Sequence, residues 1–69
     1  MDKIIIDRVI ISISENPFFE YHIDCIIKTP KGRFTKGFDA TKDFLKEAGI
    51  EYFINETIKQ YKDATKKSG

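Results

Sequence analysis

The sequence of 69 residues holds one cysteine, one histidine, two prolines, four glycines and no tryptophan. A lone cysteine forms no intramolecular disulfide, and one cysteine with one histidine falls short of the ligand set of a structural zinc site. A single core of this size supplies only about 3–5 kcal/mol, so with both staples missing the remaining means of support is a partner surface. Charge of one sign is missing too. Twelve basic and eleven acidic residues give a net charge of +1, which neither demands a polyanionic partner nor imitates one.

Long apolar runs are also lacking. None approaches the roughly 18 residues of a membrane span, and the run Ile4-Ile5-Ile6 has an acid on each side, unlike a signal peptide. The expectation is a cytoplasmic protein with no membrane partner, in which a reduced cysteine is ordinary. No nucleophile elbow, Walker loop, dinucleotide-binding glycine pattern or zinc-protease pair occurs, so no enzymatic activity and no cofactor is expected.

What is present is β-branched. Residues 4 to 14 contain Ile4, Ile5, Ile6, Val9, Ile10, Ile11 and Ile13 and read as a first strand. Asn16-Pro17 interrupts it, because proline lacks a ladder donor and asparagine forms turns. From Phe19 the alternation is regular. Phe19, Tyr21, Ile23, Cys25 and Ile27 take one face, and Glu20, His22, Asp24 and Lys28 take the other. Thr29-Pro30-Lys31-Gly32 reads as a turn, followed by a third strand over 33–38. Asp39 suits the cap of a helix over 40–48, and Gly49 suits its end. Ile50, Phe53, Ile54, Thr57, Ile58 and Tyr61 then recur at helical spacing on a stripe opposed to that of Phe44, Leu45 and Ala48. Two helices, about 40–48 and 50–66, bent at Gly49, satisfy both stripes. The predicted architecture is α+β, a three-stranded antiparallel meander followed by two C-terminal helices packed on one face. It forms one domain over 1–66, with 67–69 as a frayed tail.

The hydrophobic pattern sets the parity of the first pairing. Val9, Ile11 and Ile13 belong with Tyr21, Ile23 and Cys25 under the helices, which assigns Ile4, Ile6 and Ile10, with Ile26 as diagonal neighbour, to the reverse face. That row is the candidate protein interface, for another protein or a second copy of the chain. Three polar groups compete for attention. Glu20, His22 and Asp24 share a strand face but carry no fourth ligand or second histidine, so no metal site and no catalytic residue is assigned. Cys25 points the other way and reads as an inert buried thiol. Lys28, Lys31, Arg33 and Lys36 place four cations around one hairpin and form the alternative, a nucleic-acid-binding surface. The favoured expectation is a small, non-enzymatic protein-binding module, homodimeric in one form. An accessory or inhibitor protein of a microbe, phage or mobile element would suit its size and composition.

Overall fold

A computed structural model describes residues 3–67. Three strands, β1 (Ile5–Ile13), β2 (Tyr21–Thr29) and β3 (Gly32–Ala40), precede two helices, α1 (Lys42–Ala48) and α2 (Ile50–Lys67). The strands form one antiparallel sheet in the order β1-β2-β3, and the βββαα architecture read from the sequence stands. The tail expected over 67–69 lies, for Ser68 and Gly69, outside the described residues, and Lys67 closes α2.

The alternation along β2 puts Ile23, Cys25 and Ile27 at 1% exposure or less, because each is an odd-numbered residue of the central strand and faces the helices. Phe53 of α2 is buried in one cluster with Ile23, Cys25 and Ala40, and Val9, Phe38, Leu45 and Ile54 pack around it. Phe38 meets Phe53 at 5.3 Å between ring centroids, and Phe34 meets Tyr61 at 5.6 Å. Full burial of such side chains contributes about 1.5–3 kcal/mol each, so this small cluster accounts for much of what holds the chain together. Helix α2 lies over β2 and β3, where the chain leaving β3 delivers it.

Each connection has a local cause. Pro30 and Lys31 turn between paired Thr29 and Gly32, and the positive φ of 113° falls on Gly32, where a side chain would strain the backbone. Thr29 Oγ1 clasps the turn by donating to the Gly32 carbonyl at 2.6 Å. Between β1 and β2, the Asn16 side chain accepts from the Phe18 amide at 3.0 Å, an Asx-type turn that Pro17 suits. Gly49 ends α1 at φ 78°, its amide donating to the Leu45 carbonyl at 2.9 Å, and α2 starts at once with its stripe rotated onto the sheet. Phe44 and Tyr52 meet edge to face at 5.3 Å across that joint.

Two expectations need correction. Asp39 does not cap α1, because β3 runs on to Ala40; Thr41 is the N-cap, accepting from the Phe44 amide at 3.1 Å. Glu20 assists by accepting from the Lys42 amide at 2.6 Å, so a carboxylate from before β2 complements the positive helix end. The row Ile4, Ile6, Ile10 and Ile26 does not share one face either. Ile6 pairs with Ile27 and Arg8 with Ile26, leaving Asp7 as an unpaired bulge residue in β1. A bulge of one residue reverses the side-chain parity beyond it. Ile6 therefore stands on the helix side with Ile27, Ile4 lines a cleft there with Tyr61 and Lys62, and only Ile10 and Ile26 remain on the reverse. Ile5, opposite Lys28, takes the place assigned to Ile6.

Candidate protein-docking edge

β1 has β2 on one side and, among the described residues, no strand on the other. The large apolar side chains left exposed concentrate on it. Ile5, Ile6, Ile10 and Ile11 are 44–50% exposed and Ile13 is 85% exposed, with Phe18 at 81% in the following loop. Because α2 sits over β2 and β3, the helix side of β1 is roofed only in part. Ile11 borders a shallow apolar groove of about 400 Å³ with Tyr21 and Leu45, Lys42 and Lys46 forming its rim. The stretch Val9-Ile10-Ile11-Ser12-Ile13 carries no charge. Exposed edges of this kind are ordinarily blunted by charge or proline, since their amides and carbonyls are a template for another strand.

The sequence row thus contributes Ile10 and Ile26 on the reverse face and Ile4 and Ile6 on the helix side. Ile5, Ile11 and Ile13 were missed as surface residues. A signal for them existed: in a meander the first strand is an edge, and helices that follow the third strand roof the far side of the sheet first.

The reverse face carries a polar cluster at the opposite end from the Asp7 bulge. His22 lies between two carboxylates, Nδ1 at 2.9 Å from Asp39 Oδ1 and Nε2 at 3.0 Å from Asp24 Oδ1. Ser14 donates to the same Asp39 oxygen at 3.0 Å, tying the end of β1 to β3 across β2. Gly37 lets the ring lie flat there, since a Cβ at that position would come within 3.1 Å of His22 Cε1 and Nε2. The hydrogen bond to Asp39 raises the His22 pKa most, burial opposes it, and Asp24 adds to the rise. Asp39 is held below the usual carboxylate range by His22 first and Ser14 second. When protonated, His22 can donate from both ring nitrogens at once, one to each carboxylate. Glu20, occupied at the helix cap, does not join the cluster. Among the described residues no group of three His, Cys, Asp or Glu is placed to hold a metal ion. The site is a clip between strands.

Cys25 is buried at 1% exposure, and burial pushes its thiol pKa up, with Thr57 pulling the other way. Such a thiol is a poor nucleophile.

The four cations of the hairpin are dispersed by the register. Lys28 and Arg33 face each other on the reverse side and both approach Asp7, at 3.9 and 3.4 Å. Lys36 pairs with Cys25 on the helix side, and Lys31 stands at the turn beside Lys62 and Lys66. Phe34 and Phe38 pack against Tyr61 and Phe53 of α2.

No helix among the described residues is long and apolar enough to cross a membrane. No protein-family model matches the chain, and no curated protein or solved structure matches it.

Proposed function

We propose that the chain is a small, non-enzymatic protein-binding module that docks its partner along the outer edge of β1, by addition of a strand to the sheet. The observation that carries this reading is the concentration of isoleucines 44–85% exposed on one edge strand, with Ile10, Ile11 and Ile13 in its uncharged stretch from Val9 to Ile13. Strand addition takes affinity from main-chain hydrogen bonds and selectivity from pockets for alternate side chains. The Ile11–Tyr21–Leu45 groove is such a pocket. An accessory or inhibitor role fits a small module that offers an exposed strand edge for docking.

The test compares the two edges. Ile13→Lys places a charge on the β1 edge at a residue that is already 85% exposed, and Thr35→Lys places one on β3, at an exposed residue. Bound protein captured by the wild-type chain is expected to be lost with Ile13→Lys and kept with Thr35→Lys. Equal capture by all three chains would count against the edge as the docking site.

A further inference from the structure

We infer that the occupant of this edge is a second copy of the chain, paired β1 to β1 in antiparallel about a two-fold axis at Ile11. The inference rests on the edge reading above and adds the partner and the register.

The backbone selects the residues that can pair. The Ser14 amide donates to the Glu20 carbonyl at 3.2 Å, one step beyond the Ile13–Tyr21 pair. In an antiparallel ladder alternate residues turn both their backbone groups the same way. Ser12 and Ile10 therefore face β2 with Ser14, and Val9, Ile11 and Ile13 present their amides and carbonyls to the open edge. An axis at Ile11 sets Ile11 against Ile11 and Val9 against Ile13 of the second copy, so all three outward residues of each chain are bonded.

Side chains and charge agree with that axis. Val9, Ile11 and Ile13 stand on the helix side in both copies, so the seam joins one aliphatic strip to another beside the two Leu45 grooves. Arg8 of each copy falls opposite Ser14 and next to Glu15 of the other, while Asp7, which this register brings level with Glu15, is the unpaired bulge residue and lies with Lys28 and Arg33 of its own chain. Moving the axis to Ile10 would set Ile13 against Asp7, and moving it to Ser12 would set Val9 against Glu15. A parallel, in-register pairing would bring Arg8 beside Arg8. The Asp7 bulge ends the ladder where the charges begin.

Light scattering of the purified full chain is expected to give twice the 8.0 kDa chain mass, and Ile13→Lys is expected to halve it while circular dichroism stays unchanged. The register is read by disulfide trapping. Ile10 faces Ser12 of the second copy as a non-hydrogen-bonded pair, with Cα atoms about 4.5 Å apart, within disulfide reach. Under mild oxidation a mixture of Ile10→Cys and Ser12→Cys chains is expected to cross-link about tenfold faster than either alone; Cys25, at 1% exposure, does not compete. Faster cross-linking of Ile10→Cys with itself would overturn the axis at Ile11. A wild-type chain that stays monomeric at about 1 mM would overturn the second copy as occupant. If such a monomer still captures another protein, and Ile13→Lys abolishes the capture, the edge reading survives without this inference. A dimer indifferent to Ile13→Lys would overturn both.

Discussion

β1 and β3 are edge strands of nine residues each, flanking the same central strand, and they differ in what lies against them. β3 is followed directly by the helices, so Phe34 and Phe38 pack against α2 and its other face is studded with Arg33, Thr35 and Asp39. β1 comes first in the meander, is roofed only in part, and keeps its isoleucines in solvent. An aliphatic strand and a mixed strand thus have the reverse of the burial that composition alone suggests. Connectivity decides it: α1 follows β3 through the single residue Thr41, and α2, which follows α1 at Gly49, lies over β2 and β3.

The strongest way to break this contrast is on the roofed side. Phe53→Ala should cost about 3–5 kcal/mol, comparable with the whole stability of a domain this size, and denaturant titration should find the variant largely unfolded. Gly32→Ala attacks the hairpin that leads into β3. With φ at 113° it should cost about 1–3 kcal/mol, visible as a lowered melting temperature.

The His22 clip sharpens the contrast by pH. A raised histidine pKa stabilises the fold in full below the unfolded value of about 6.5 and loses that contribution as pH rises through the folded value. The lowered Asp39 pKa acts in the opposite sense, stabilising above about 3.8 and fading as pH falls. The clip is therefore fully formed in mildly acidic solution and weakens toward alkaline pH. Asp39→Asn should bring the His22 titration, followed by NMR, back down and flatten the stability profile. An unmoved His22 pKa would mean that the two side chains do not interact.

The smallest effect belongs to the open edge. Ile13→Ala should change monomer stability by less than about 0.5 kcal/mol, measured by denaturation of a dilute sample. A cost approaching that of Phe53→Ala would erase the difference between the edges.

Periodicity within each segment was enough to determine the order of elements, the buried face of β2, the turn at Pro30-Lys31-Gly32 and the change of helical stripe at Gly49. Each depends on residues a few positions apart. The split of the isoleucine row, the clip at Asp39 and the uncovered state of β1 depend on pairing partners distant in sequence. Asp7 interrupts the apolar side of the first strand in the sequence, but only β2 and β3 bring Lys28 and Arg33 to it, and the bulge there turns Ile6 to the opposite side. Asp39 has the local signature of a helix cap, yet β3 pairing carries it past the helix start and onto His22. Alternation within a strand is local chemistry, whereas which strand is left at the edge, and which way its side chains face beyond a bulge, is settled only when the sheet closes and the helices find room on it.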